Sequence, residues 1–385
     1  MSNAGKRGTA KAKGPQLYLG YETALLYWRA VHEGRLAQPV PIKQRNVPAN
    51  SVTGYGELRE IDLAPLDLTI TDSGAVARYV EQRIDWGSRK DQEPEWRFVP
   101  AGLAFAPGVP TPLHVLTSDM RQRAKHPSIV THLLTGDLPK GSFYRVSASI
   151  VVASPELAFL QSCHPQYDLP NIELALEFCG TYALHPGELP CRFDVSPVTS
   201  CEKLAAYVKC SSGRHGVQAA RRALSWACDG IASPREEELY LLLRLPARKG
   251  GYGLPEPLVN DSIDDDELEG LPESMKRHYV PDLQWKTDGR KIILEYDGYE
   301  EHERDPLKVA ADKERRSIIA AQGSAVIVMT KRDLVDVDAL RNKVVQLCYA
   351  LGIKLQEPKP AAHAALFEWL TNSQRDHLPY GYGYH

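Results

Sequence analysis

Asp282 and Glu295 stand symmetrically about Asp288-Gly289, the dipeptide best suited to a two-residue hairpin turn because both turn positions need positive φ. The flanking stretches, 279–285 and 291–297, read as strands. With Asp288 and Gly289 as the turn, Thr287 pairs with Arg290, Trp285 with Ile292 and Asp282 with Glu295. Side chains opposed in this way have Cβ atoms about 5 Å apart, and like charges there destabilise a hairpin. Asp297, two residues beyond Glu295, projects on the same face. Acids on the solvent face of an exposed hairpin are the plain alternative. Against it, Ile292, Leu294 and Tyr296 alternate with Ile293, Glu295 and Asp297, so one face is buried, and Ile293 places apolar surface on the acidic face too. Partly buried carboxylates without a partner cost several kcal/mol or shift their pKa. A divalent cation is the simplest group that makes three converging acids tolerable.

Other elements must position this hairpin. Ser233-Pro234-x-Glu236 is a helix start, with Ser as N-cap, Pro at the first position and Glu at N3, and the helix runs to Pro246. Spacing alone gives Glu236 the reciprocal role in a capping box. After a Gly/Pro loop and the acidic stretch 260–269 comes the hairpin. Residues 306–322 read as a helix closed by Gly323, residues 325–329 as a strand buried on both faces, and residues 337–351 as an amphipathic helix. The first of these helices carries Lys308, Lys313, Arg315 and Arg316, and Lys331-Arg332 follows the strand, which together offer a basic face for phosphate. Asp312 lies three and four residues before Arg315 and Arg316, so a helix-surface ion pair is the alternative there.

The chain is expected to be α/β locally and α+β overall. Residues 1–15 read as a disordered basic tail, 16–229 as a mixed α+β region, 230–356 as an α/β domain, and 357–385 as a helix with a mobile tail. Helices are expected at 23–30, 155–161, 172–178, 201–207 and 218–228, with short strands at 113–117 and 144–146.

The formal net charge of the 385 residues is −3, so any nucleic-acid binding must come from local patches. No apolar run approaches the ~20 residues of a membrane span, and a soluble cytoplasmic protein is expected. Seven cysteines without a CxxC pair read as free thiols; Cys191, Cys201, Cys210 and His215 lack the spacing of a known zinc module.

Pro281-Asp282, Glu295-Tyr296-Asp297-Gly298, His302, Asp312-x-x-Arg315-Arg316, Gly323 and the strand ending Met329-Thr330, led by the Ser233-Pro234-x-Glu236 helix, resemble in this order the Vsr-like branch of the PD-(D/E)XK nucleases. The resemblance covers residues 233–351. It implies a restriction-endonuclease-like αβββαβ core, a mixed sheet flanked by helices, hydrolysing DNA phosphodiesters with Mg2+ or with Mn2+ as a substitute. It further implies that Asp282 and Glu295, with Asp297, hold the metal, and that Glu236 completes or orders the cluster. The family's usual lysine is Asp297 here, and His302 would serve as general acid or base, its ordinary pKa of about 6.5 suiting that role. An exposed loop histidine is the alternative for His302.

The first region, through Leu116-Thr117, Ala153-Ser154-Pro155-Glu156-Leu157-Ala158 and the helices up to Asp229, resembles AbiEi-like proteins of abortive-infection systems. That implies a module touching DNA or a protein partner, in a defence or toxin–antitoxin setting. A DNA-binding regulator or antitoxin-like protein with a vestigial nuclease fold is the rival reading, and a structural partner protein the third. The facing acids favour the enzyme; the missing lysine, which the Vsr-like branch also lacks at that position, keeps the regulator reading open.

Overall fold

The structure is a computed structural model that describes residues 17–34, 36, 38–41, 58–59, 105–106, 109–110, 112–118, 129–146, 150–184, 191–262, 280–287, 290–297, 306–321 and 323–371. The tails expected at 1–15 and 372–385, most of the acidic stretch and the turn Asp288-Gly289 lie outside these residues. The protein is mixed α+β and divides into two compact units, each with a mixed sheet.

The first unit spans residues 1–165 with 202–220. The strands of its six-stranded sheet are β1 (Leu17–Leu19), β2 (Val40–Pro41), β3 (Leu113–Thr117), β4 (Ile129–Leu133), β5 (Phe143–Arg145) and β6 (Ile150–Ala153), ordered β2-β5-β6-β1-β3-β4. β1 runs parallel to β6, and β3 to β4; the other pairings are antiparallel. Helices α1 (Tyr21–His32) and α2 (Pro155–Ser162) pack against each other. Leu19, Leu25, Trp28, Val115, Val151, Val152 and Phe159 fill the core, and the Trp28 indole N–H donates to the Ala153 carbonyl at 2.8 Å. α2 begins as its sequence demands, with Ser154 Oγ accepting from Leu157 N–H and Pro155 at the first helical position.

The second unit takes residues 166–201 and 221–379. A cut at 229/230 therefore does not follow the packing: α3 (Asp168–Cys179) belongs with the C-terminal elements. The physical reason lies in its polar side chains. Trp369 Nε1 donates to Glu173 at 3.1 Å and Lys249 binds Asp168 at 2.5 Å, while Tyr182, three residues past the helix, donates to the buried Glu237. α4 (Cys201–Cys210) and the first half of α5 (Val217–Leu224) return to the first unit, and α5 ends four residues before the expected Cys228.

Next come α6 (Pro234–Arg244), β7 (Leu258–Val259), β8 (Leu283–Thr287), β9 (Arg290–Asp297), α7 (Pro306–Ala321), β10 (Ala325–Thr330), α8 (Lys331–Val335), α9 (Val337–Leu351) and α10 (Pro360–Thr371). The sheet order is β7-β8-β9-β10. β8 and β9 are antiparallel in the register expected from the turn, with Trp285 opposite Ile292 and Thr287 opposite Arg290, while β9 and β10 are parallel. β8 starts at Leu283, later than expected. β10 is only half-buried along much of its length, a correction to the doubly buried strand expected, because among the described residues it is the edge strand of this sheet. Gly323, at φ +88°, closes α7 in the left-handed region that glycine adopts without strain. α10 docks through His363, whose Nδ1 lies 2.7 Å from the Gly250 carbonyl; a Cβ on Gly250 would run into the Ala362 carbonyl. Among the described residues no helix is long and apolar enough to cross a membrane.

Candidate functional site

The hairpin register puts Leu283 opposite Leu294, so Asp282, one residue before β8, comes level with Glu295. Strand alternation places Asp282 and Gln284 on the face of Ile293, Glu295 and Asp297. Both faces are covered: Ile293, Gln284 and Glu295 are buried on one, Leu283, Trp285, Ile292 and Leu294 on the other. The acids do not decorate a solvent face.

Asp282 is anchored twice. Its Oδ2 accepts from Tyr296 N–H at 2.5 Å, and its backbone carbonyl accepts from Asn260 N–H at 3.0 Å. Its carboxyl is pushed up to about 7, chiefly by burial and then by the neighbouring charges of Glu236 and Glu295, against the pull of the Tyr296 N–H and Arg316. The α6 N-terminus and β9 thus bring two carboxylate charges into the field of Asp282, although Glu236, Asp282 and Glu295 do not lie mutually within 4.8 Å.

Glu236 sits at N3 of α6, where its N–H donates to Ser233 Oγ at 3.1 Å. The reciprocal half of the capping box is altered. Its carboxylate accepts instead from Ala232 N–H (3.0 Å), Ser233 Oγ–H (2.9 Å) and Asn260 Nδ2 (2.8 Å). Asn260, just past β7, holds φ +46° and ties the two acids together, through its backbone to Asp282 and its amide to Glu236. Asn tolerates that conformation better than most residues, and such outliers cluster at functional sites. Sequence reading passed over Asn260 because a two-residue strand after a Pro/Gly loop shows no alternation.

The basic residues fare unevenly. Arg316 is turned inward: its Nε donates to Glu295 Oε2 at 2.6 Å and its Nη2 lies 4.0 Å from Asp297 Oδ2. The parallel crossover lays α7 over the acidic face of β9, which gives Arg316 these acidic partners; the side chain of Asp312, its alternative partner from helical spacing, lies outside the described residues. Lys313, Lys331 and Arg332 are exposed. His302 and the side chains of Lys308 and Arg315 lie outside the described residues. Asp297 is half-buried, and its oxygens do not join those of Asp282 and Glu295 in a group lying mutually within 4.8 Å.

A second basic feature was not anticipated. Arg222, Arg248, Lys249 and Trp226 line, with Asp168, a concavity of about 160 Å³ in the same unit. Arg222 and Lys249 both grip Asp168, and Arg244 sits over the Trp226 ring at 5.0 Å. Cation-rich, aromatic surfaces of this kind suit anionic, ring-bearing ligands.

In the first unit a part-buried polar chain centred on the buried His114 also escaped the sequence. His114 Nδ1 lies 2.9 Å from His132 Nε2, and His114 Nε2 lies 3.5 Å from Glu22 Oε2. Tyr21, at φ +46°, stacks on His132. Comparisons with family models, with curated proteins and with solved structures found no match for this chain.

Proposed function

We propose that this protein is a metal-dependent phosphodiesterase of the restriction-endonuclease-like type, acting on DNA with Mg2+. One observation carries the reading: the carboxyl of Asp282 sits in the field of two further carboxylates, Glu236 and Glu295, at a place closed on both sides of the sheet. That surplus of negative charge is what a hard divalent cation offsets, and magnesium is content with one or two carboxylates plus waters. Gln284 Oε1 supports the fit, since it is buried on the same face and has no hydrogen-bond partner among the described residues. Asp282 and Glu295 would hold the ion. When bound, it would supply charge neutralisation at phosphate and a more acidic water.

The protein's own groups do the rest. Asn260 and the Ser233 cap hold Glu236 in place, and the Tyr296 N–H fixes the rotation of the Asp282 carboxylate. Arg316 keeps Glu295 neutralised until a cation or a phosphate competes for one of the two partners. Lys313, Lys331 and Arg332, with the Arg222–Arg248–Lys249 concavity, supply the phosphate contacts. The element order α6-β7-β8-β9-α7-β10 agrees with the αβββαβ core that the resemblance implies.

The ion pair between Arg316 and Glu295 favours a second reading, in which an internal cation has replaced the metal and the domain binds DNA without cutting it. Incubating the full chain with plasmid and single-stranded DNA in Mg2+, Mn2+ or EDTA separates the two. Metal-dependent cleavage lost in Asp282→Asn supports the nuclease; binding without cleavage under every condition supports the regulator.

A further inference from the structure

Cys179, Cys201 and Asp229 bring two sulfurs and a carboxylate oxygen within 4.8 Å of one another, and no part of the acidic site uses them. Their spacing in the chain hides this, because Cys179 ends α3, Cys201 opens α4 and Asp229 lies in the loop after α5.

The three backbone segments are fastened together before any ligand arrives. Gly230 N–H donates to the Cys179 carbonyl at 3.0 Å, and Cys201 N–H donates to Asp229 Oδ1 at 2.8 Å. The Phe178 carbonyl, one residue before Cys179, accepts from both Val198 N–H (2.9 Å) and Thr199 N–H (3.0 Å). We propose that Cys179, Cys201 and Asp229 form a binding site for a soft divalent cation of the zinc class.

The donor set selects the ion. Two thiolates and one carboxylate suit zinc and exclude magnesium as the preferred occupant. Zinc–sulfur bonds of about 2.3 Å in a tetrahedron place two sulfurs about 3.8 Å apart, so side-chain rotation within the observed spacing suffices. Cys228 adjoins Asp229 in the chain, but its thiol contacts Tyr240 and stands outside the group of three, so a water would fill the fourth position. A disulfide would need only the two sulfurs; the converging carboxylate is what points to a cation.

The site has a structural consequence. From Asp229 the chain runs directly into the Ser233 cap of α6, and Asn260 Nδ2 binds both the Gly230 carbonyl (2.9 Å) and Glu236 Oε2 (2.8 Å). An ion on Asp229 would therefore stiffen the segment that presents Glu236.

Cobalt(II) titration of the reduced, metal-stripped full chain tests the site without reference to DNA cleavage. The expected result is a thiolate-to-cobalt charge-transfer band saturating at one ion per chain, bleached by zinc, and a zinc-dependent rise in melting temperature. The band should vanish in Cys179→Ser and in Cys201→Ser but persist in Cys191→Ser. Zinc loading of the wild type should also shield at least two of its seven thiols from a thiol reagent, a readout needing no variant. The proposal is overturned by absence of the band, by its survival in the Cys179→Ser/Cys201→Ser double variant, or by a Cys179–Cys201 disulfide that forms equally with and without zinc.

Discussion

Arg316 Nε donates to Glu295 Oε2 at 2.6 Å, and this pair is the counterweight to the carboxylates gathered beside it. Both side chains are largely buried, 20% and 11% exposed. Removing one partner of a buried pair leaves an uncompensated charge, at a cost of roughly 3–5 kcal/mol. Arg316→Met should therefore lose about 3 kcal/mol of stability in EDTA. If Glu295 is a metal ligand, Mg2+ should return a large part of that loss, since the ion replaces the missing positive charge. Urea denaturation with and without Mg2+ measures both. An equal loss in the two conditions would remove Glu295 from the proposed ligand set.

Asp282 links burial to pH. Its folded carboxyl titrates near 7, against about 3.9 in an unfolded chain, so between those values the folded state binds the extra proton. Stability in EDTA must then fall as pH rises from about 4 to 7, by up to about 4 kcal/mol. Asp282→Asn keeps an acceptor for the Tyr296 N–H and removes the charge. It should be more stable than wild type at pH 8, flatten this part of the curve and abolish cleavage. Identical slopes for the two proteins would mean that the carboxyl is not in the field described.

The hairpin was legible because a local signal and a period-two pattern agreed on one register. The partners of its acids were less so. Helical spacing offers Arg316 only Asp312 as a partner, and the contact with Glu295 comes from the crossover that brings α7 over β9. The α8 helix escaped notice although Thr330-x-x-Asp333 carries its signature, and both reciprocal hydrogen bonds form there. Cys179, Cys201 and Asp229 meet across long stretches of chain, and no local pattern encodes such a meeting. Glu236 was placed at N3 from sequence, yet its carboxylate serves Asn260 and Ala232 because β7 runs alongside.

His114 predicts an opposite dependence in the first unit. Burial holds this histidine neutral, its pKa pushed down to about 4, and Glu22 does not reverse this because its own burial pushes its carboxyl up. The unfolded chain takes the proton first, near 6.5, so stability is lost as pH falls from about 6.5 to 4, by up to about 3 kcal/mol. Amide exchange of Val115 and Leu116 on β3 should accelerate over that window. His114→Gln should remove the acceleration; an unchanged profile would mean that another group titrates.

Glu236 and Ser233 separate capping from chemistry. Ser233 Oγ accepts from Glu236 N–H at 3.1 Å and donates to its carboxylate at 2.9 Å, so Ser233→Ala should cost about 1 kcal/mol and leave the acid in place through Ala232 and Asn260. Activity per folded molecule should then stay near wild type. Glu236→Gln preserves much of the cap but removes one of the charges that raise Asp282. The Asp282 carboxyl should fall, the loss of stability as pH rises from about 4 to 7 should weaken, and cleavage should drop if Glu236 orders the cluster. Carbon-detected NMR titration of the Asp282 carboxyl in the two variants decides the matter: a shift in Glu236→Gln and none in Ser233→Ala is expected, and equal behaviour would leave Glu236 a helix cap alone.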